Sequence, residues 1–133
     1  MKRILLVLVC TCFFHYADAQ EKNIGEKLAQ EQLDAYNKRD IEGFLKPYAD
    51  TVAIYNFPDQ LIYKGKDAMR KDYAEMFTNL PDLHCTLKNR IVLGNKVIDE
   101  ESVIFNKNNP PVRAAAIYTI SGGKIVAVHF ISQ

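Results

Sequence analysis

The sequence predicts an α+β fold, in which helices pack on one face of a curved antiparallel sheet. Two observations support this class. Apolar residues recur at helical spacing in two segments, 24–38 and 66–80. Over 84–132, β-branched and aromatic residues are enriched around two glycine turns, Gly94-Asn95 and Gly122-Gly123. Helices therefore come first and four consecutive strands come last, which is typical of an α+β domain.

Two helices are predicted at the start of the domain. Asn23 is a capping residue for a helix over 24–38, which carries apolar side chains on one side. Asp40 begins a short second helix. We expect that helix to include Tyr48 and to end at Ala49-Asp50.

A hairpin and a third helix follow. The segments 51–57 and 61–64 are rich in strand-forming residues, and they flank the turn Pro58-Asp59-Gln60. The next segment, 66–80, has an apolar side and is predicted to be helical until Pro81 stops it.

The four remaining strands are predicted to form two hairpins, with strands at 84–93, 96–106, 112–120 and 124–132. If Gly94-Asn95 is a two-residue turn, the first hairpin pairs Arg90 with Asp99, Lys88 with Glu101, Thr86 with Val103, and His84 with Phe105. The opposite face then carries Cys85, Leu87, Ile91, Leu93, Ile98 and Ile104. From the residues alone, the charged face is exposed to solvent and the apolar face is the core, although a β-bulge would change this pairing.

The second hairpin, around Gly122-Gly123, has two mainly apolar faces. One face is predicted to carry Arg113, Ala115, Ile117, Thr119, Val126, Val128 and Phe130. The other is predicted to carry Ala114, Ala116, Tyr118, Ile120, Ala127, His129 and Ile131. We expect helices to cover one face and a partner chain to cover the other, with His129 at that interface.

Residues 1–19 are expected to be a secretory signal peptide. Two basic residues precede an apolar stretch at 4–14, and small residues occupy the cleavage positions of 17–19. We expect cleavage before Gln20 and export to the periplasm or the extracellular space, with 20–133 as one mature domain. A buried N-terminal helix is the alternative interpretation.

The composition of the expected mature chain excludes several classes of protein. The full chain has 133 residues with 17 Lys and Arg against 16 Asp and Glu, and without the leader it has 15 of each. This balance argues against a nucleic-acid partner. The sequence contains no run of about 18 apolar residues, so we do not expect a helix that spans a membrane. Cys85 is the one cysteine left, so an internal disulfide is excluded. His84 and His129 lack H-x-x-x-H spacing, and we expect no metal and no cofactor.

Several local sequences resemble one superfamily. They are Ala35-Tyr36-Asn37-Lys38-Arg39-Asp40, Phe44 with Tyr48-Ala49-Asp50, Tyr63-Lys64-Gly65-Lys66, and Gly122-Gly123-Lys124-Ile125. In this order they resemble the nuclear transport factor 2-like superfamily, within it the SnoaL-like and steroid delta-isomerase-like branch. The resemblance implies a cone-shaped, cystatin-like α+β roll with a pocket at its open end, and a homodimer through the outer sheet face. It also implies that His84, Asp99, Glu101, Val103 and Phe105 face the cone.

The steroid isomerases of that branch use a carboxylate base, with a tyrosine and a protonated aspartic acid as the oxyanion hole. At the corresponding positions this chain has Asn56 for the base, Gln32 for the tyrosine, and Ala116 or Ile117 for the aspartic acid. We therefore do not expect steroid isomerisation by that mechanism.

Three functions remain open from the sequence. The first is the binding of a small, partly polar organic ligand in a pocket formed by Gln32, Tyr36, Tyr55, Asn56, Phe57, Arg90, Phe105 and Arg113. The second is an isomerase, cyclase or hydratase in which His84 works with Glu101 or Asp99 as an acid–base pair. The third is a non-catalytic domain whose sheet face binds another protein.

Overall fold

The computed structural model describes residues 24–133 of the chain. The expected signal peptide at 1–19 and the capping residue Asn23 lie outside these described residues. The elements follow in the order α1 24–38, α2 Ile41–Leu45, β1 Tyr48–Asn56, β2 Gln60–Lys64, α3 Lys66–Asn79, β3 His84–Leu93, β4 Lys96–Ile104, β5 Val112–Ser121 and β6 Lys124–Ser132. This order confirms the predicted α+β class.

The second helix begins where predicted and ends earlier. The Asp40 carboxylate accepts a hydrogen bond from the backbone N–H of Gly43 at 3.0 Å, which caps the first turn of α2. The helix stops two residues before Pro47, because proline lacks the backbone N–H that a further turn requires. Tyr48 and Ala49-Asp50 therefore begin β1, and their predicted place in α2 is wrong.

All six strands belong to one curved, open sheet with the order β2-β1-β6-β5-β4-β3. Neighbouring strands are antiparallel except β1 and β6, which are parallel. Strands β2 and β3 form the two edges. Strand β6 lies between β1 and β5, and it is therefore the link between the first hairpin and the other three strands.

A β-bulge in the third strand changes the register of the hairpin β3–β4. The predicted pairing holds next to the turn, where Arg90 faces Asp99. Between Leu87 and Asn89 the register shifts by one residue, so that Lys88 has no partner. The pairs beyond this point are Leu87–Glu101, Thr86–Ser102, Cys85–Val103 and His84–Ile104, and the pairs predicted for Lys88, Thr86 and His84 are wrong. Cys85 and Leu87 consequently share the inner face, and His84 lies on the outer face.

The second hairpin carries a similar irregularity. Its register shifts between Thr119 and Ile120, and Val126 is the extra residue on β6. The residues of β5 divide between the two sheet faces into the same two groups as predicted. The two groups of β6 residues lie on the faces opposite to those predicted relative to β5. Ala116 and Tyr118 therefore pair with Phe130 and Val128, and Ile117 pairs with His129 on the outer face.

The hydrophobic core lies between the three helices and the concave face of the sheet. Its fully buried apolar side chains include Phe44, Leu45, Val52, Ile54, Met69, Leu83, Val97, Ile125 and Val128. Helix α1 comes very near the sheet at Gly25, where an added Cβ would lie 3.1 Å from a Val97 methyl group. This packing leaves room for a cavity farther along α1, towards the open end of the cone.

Candidate functional site

A cavity of about 240 Å³ opens between the helices and the concave face of the sheet. Three residues of α1, single residues of α2 and β3, and residues of α3, β1, β4, β5 and β6 contribute to its wall. The lining residues are Gln32, Leu33, Tyr36, Phe44, Tyr48, Asn56, Tyr73, Met76, Cys85, Glu101, Val103, Phe105, Val112, Ala114, Tyr118, Phe130 and Ser132. The exposed Asn56, Phe105 and Ser132 mark its mouth, and the buried Glu101 lies deep inside.

Glu101 is the ionisable group with the most unusual environment in this cavity. Burial raises its pKa from the ordinary value of 4.5 to about 7, and the neighbouring Asp99 charge adds to the increase. Hydrogen bonds from Tyr118 and Cys85, together with the more distant Arg90, act in the opposite direction. The carboxyl group is therefore able to gain or lose a proton near neutral pH.

Glu101 ends a chain of buried hydrogen bonds. The Tyr48 hydroxyl donates to Gln32 Oε1 at 3.2 Å, and Gln32 Nε2 donates to the Tyr118 hydroxyl at 2.9 Å. The Tyr118 hydroxyl in turn donates to Glu101 Oε1 at 3.4 Å. Burial raises the pKa of both tyrosines well above the usual range, so both keep their protons and remain donors.

Asp99 lies on the same strand face as Glu101 but has a different role. Arg90 forms two hydrogen bonds with its carboxylate, both at 2.7 Å, and a third with Gln30 at 2.9 Å. Asp99 is fully buried, and the Arg90 side chain is 9% exposed. This ion pair braces α1 against the sheet. Neither residue lines the cavity, so Asp99 influences Glu101 only by its charge.

Cys85 reaches the cavity because of the bulge at Lys88. Its backbone is fixed to α1 by Asn37, whose side chain accepts from the Cys85 N–H and donates to the Cys85 carbonyl, both at 2.8 Å. Burial and the charge of Glu101 raise the pKa of the thiol far above its usual range. The thiol is consequently a weak nucleophile, and it donates a hydrogen bond to Glu101.

The structure brings together only part of the site predicted from the sequence. Gln32, Tyr36, Asn56, Phe105 and Glu101 line the cavity. The other predicted pocket residues do not line it. Tyr55 stacks on His129 at 4.5 Å on the outer face, Phe57 is 56% exposed, and Arg113 is an exposed partner of Glu100.

His84 is not placed to act with either carboxylate. The bulge at Lys88 turns it to the outer face, where it is exposed and pairs with Ile104. The sheet therefore separates His84 from Glu101 and Asp99, and the predicted acid–base pair is not assembled.

Five polar residues of the cavity wall were not predicted from the sequence: Tyr48, Tyr73, Cys85, Tyr118 and Ser132. Tyr48 was expected in a helix, and Cys85 was expected on the opposite face of its strand. Tyr118 was grouped correctly with Ala116 on one face of β5, but that face was expected to contact a partner chain, and the structure turns it towards the cavity.

The positions expected for an isomerase carry no carboxylate in the structure either. Gln32 lies in the hydrogen-bonded chain, Asn56 lies at the mouth of the cavity, Ala116 is fully buried on the concave face, and Ile117 faces outward. Within residues 24–133 no group of three or more His, Cys, Asp or Glu is arranged to hold a metal ion. No helix in that same part of the chain is long and apolar enough to cross a membrane.

Residues 29–128 match the family model of the SnoaL-like domain. The chain belongs to the SnoaL-like domain family. The match spans most of the chain, from the first helix to the last strand. No protein of curated function matches the sequence significantly.

Solved structures from three bacteria have a similar fold. An uncharacterised cystatin-fold protein of Novosphingobium aromaticivorans is 25% identical with a TM-score of 0.74, covering 80% of this chain and 97% of its own. A SnoaL-like protein of unknown function from Burkholderia thailandensis is 17% identical with a TM-score of 0.72, covering 84% and 95%. A Sinorhizobium meliloti protein, provisionally assigned as a polyketide cyclase, is 15% identical with a TM-score of 0.68, covering 79% and 94%.

Proposed function

We propose that this SnoaL-like domain binds a small, partly polar organic molecule in its concave cavity. The observation that carries the proposal is the composition of the wall, which is mostly aromatic and aliphatic, with a buried polar cluster at Glu101. Ligand sites usually combine apolar walls with a few convergent polar groups, and drug-sized ligands occupy roughly 300–1,000 Å³. A cavity of about 240 Å³ suits a smaller molecule.

Filling the cavity tests this proposal. Ala114 lines the cavity, and Ala115 is the next residue on the opposite face of the same strand. We expect Ala114→Phe to abolish the binding of small aromatic probes, measured by saturation-transfer NMR. The matched variant Ala115→Phe is expected to retain binding, with circular dichroism confirming that both fold. Equal binding by the two variants would show that the probes bind elsewhere.

Proton-transfer catalysis is a second candidate function. It is favoured by one observation, a cavity carboxyl group whose pKa is about 7 and which Tyr118 and Cys85 contact. In a reaction of the isomerase, cyclase or hydratase type, Glu101 replaces the predicted His84 as the acid–base group. It takes a proton from a ligand carbon or from water and returns one to the product, so no oxidant or reductant is consumed.

Isotope exchange tests for this activity. Ketone probes incubated with the protein in D2O are expected to gain deuterium beside the carbonyl, as followed by NMR. Glu101→Gln is expected to lower the exchange rate at least about a hundredfold, which lies within the usual range for removing a general base. Glu100→Gln, on the outer face, is expected to leave it unchanged. Equal rates for wild type and Glu101→Gln would rule out this role.

We also propose that the protein is exported, with cleavage before Gln20. The basic, apolar and small-residue segments of 1–19 support this proposal. Expression of the full chain with a C-terminal tag is expected to give a periplasmic or secreted product whose mass lacks residues 1–19. A cytosolic product of full mass would contradict it.

A further inference from the structure

The polar hydrogen atoms of the hydrogen-bonded chain that ends at Glu101 are all donated to acceptors within the protein. Gln32 Nε2 donates both of its hydrogens, to the Ala29 carbonyl at 3.1 Å and to the Tyr118 hydroxyl at 2.9 Å. The hydroxyl hydrogens of Tyr48 and Tyr118 go to Gln32 and Glu101. When Glu101 is ionised, the cluster therefore has no donor left for a ligand, and its free capacity is that of an acceptor, on the remaining lone pairs of Glu101.

Among residues 24–133 two carboxylates are buried, and Glu101 is the one that forms no ion pair. Arg90 is bound by Asp99 and Gln30, and it does not line the cavity. Among the described residues that line the cavity there is no Lys, Arg or His. A buried charge is costly unless an opposite charge accompanies it, and no residue of the cavity wall supplies one for Glu101.

The aromatic side chains of the cavity wall also favour a cation, in addition to the carboxylate of Glu101. Seven of its lining residues are aromatic: Tyr36, Phe44, Tyr48, Tyr73, Phe105, Tyr118 and Phe130. Aromatic rings attract ammonium groups through the negative charge of their faces, and the attraction grows when the cation is desolvated. A carboxylate inside an aromatic wall is thus complementary to an organic ammonium ion in both charge and surface.

We infer that the ligand of this cavity is a small organic amine, bound as a cation whose N–H group donates to Glu101. This inference rests on the proposed function, since it names the chemical class of the molecule that the cavity binds. It favours an amine over a carboxylic acid, because a second anion beside Glu101 and Asp99 is repelled. It also favours an amine over an alcohol, because a charge-assisted hydrogen bond is stronger than a neutral one.

Four probes of the same shape test the inference: benzylamine, benzyl alcohol, benzoate and toluene. Binding is measured by isothermal titration calorimetry and saturation-transfer NMR at about pH 8, where Glu101 is ionised. We expect benzylamine to bind about tenfold or more tightly than benzyl alcohol, and benzoate not to bind. Glu101→Gln is expected to reduce the benzylamine preference to about twofold or less, whereas Glu100→Gln keeps it.

The outcomes separate the inference from the function on which it rests. If benzyl alcohol, benzoate or toluene binds as tightly as benzylamine and Ala114→Phe blocks it, the cavity is a ligand site and the amine inference is wrong. If Glu101→Gln leaves the benzylamine preference intact, the inference is also wrong, since the amine then contacts another group. If none of the four probes binds, ligand binding in the cavity is itself rejected.

Discussion

A carboxylate that titrates near neutral pH also makes the stability of the fold depend on pH. The pKa of Glu101 is about 7 in the folded protein and 4.5 when unperturbed, so the folded state holds this proton more tightly. The resulting stabilisation is complete below about pH 4.5 and is lost as the pH rises through about 7. Because a difference of one pKa unit corresponds to about 1.36 kcal/mol, the free energy of unfolding falls by roughly 3 kcal/mol at most.

Substitution of Glu101 by glutamine is expected to remove this dependence. Urea unfolding of the wild type and of Glu101→Gln is measured between about pH 4.5 and pH 8. Relative to the variant, the wild type should lose up to roughly 3 kcal/mol across this range. Glu100→Gln provides the background, because Glu100 pairs with Arg113 at the surface. A constant difference between wild type and Glu101→Gln would contradict the raised pKa.

Tyr118 adjusts the same group in the opposite direction. Its hydrogen bond to Glu101 favours the charged carboxylate and lowers the pKa. We expect Tyr118→Phe to move the pKa of Glu101 above 7, as measured by carbon NMR titration of the labelled carboxyl group. Tyr55→Phe, which alters a tyrosine on the outer face, should leave the titration unchanged. A fall in the pKa of Glu101 would show that Tyr118 acts differently.

At the scale of elements, the bulge at Lys88 decides which residues reach the cavity. Deleting Lys88 removes the unpaired residue and leaves Leu87 opposite Glu101 and Asn89 opposite Glu100, so the faces of β3 are kept. Deleting Thr86 instead moves the register of the residues before it by one. Cys85 is then expected to turn outward, and the exposed His84 inward.

The two deletions are therefore expected to differ strongly in stability. Deleting Thr86 should cost at least about 2 kcal/mol more than deleting Lys88, because the bulkier imidazole of His84 is forced into the buried site that the Cys85 thiol occupied. Urea unfolding followed by circular dichroism measures both. Equal stabilities, or a less stable Lys88 deletion, would mean that the bulge is required for folding in its own right.

Helix and strand positions were predictable because their signals are local. The first helix over 24–38 and the strands His84–Leu93 and Lys96–Ile104 follow from helical periodicity, β-branched residues and a glycine turn. The end of α2 was placed too late because the effect of Pro47 was not weighed. The strand register beyond Lys88 was not predictable, because Lys88 and Asn89 are both polar and this pattern fits a bulge or a regular strand equally well.

The residues of the site were predictable only where they did not depend on the strand register or on contacts between distant elements. Glu101 was expected on the cone face on grounds of family resemblance, and the structure places it there. His84 and Cys85 exchanged faces because they lie beyond the bulge. The partnership of Glu101 with Tyr118 and Gln32 depends on three elements distant in the chain, and pairing rules for one hairpin do not reach it.

At the scale of the whole molecule, the outer sheet face remains the predicted dimer interface. Ile98 and Ile117 are half-buried there, next to Ala115, and Ile131 is 42% exposed. We expect light scattering to give twice the monomer mass, and Ile117→Lys to give a folded monomer. Leu61→Lys, at the edge strand β2, should leave the dimer intact. A monomeric wild type would refute the prediction.

The position of β6 between β1 and β5 has a consequence for synthesis. The segment Lys124–Ser132 is synthesised after the other five strands of the sheet, yet it supplies Ile125 and Val128 to the core and joins the two halves of the sheet. A nascent chain that stops before Lys124 holds a hairpin and a three-strand unit with no strand between them. The sheet therefore closes only after β6 has been synthesised, and its pairing with the distant β1 is the kind of long-range contact that forms slowly.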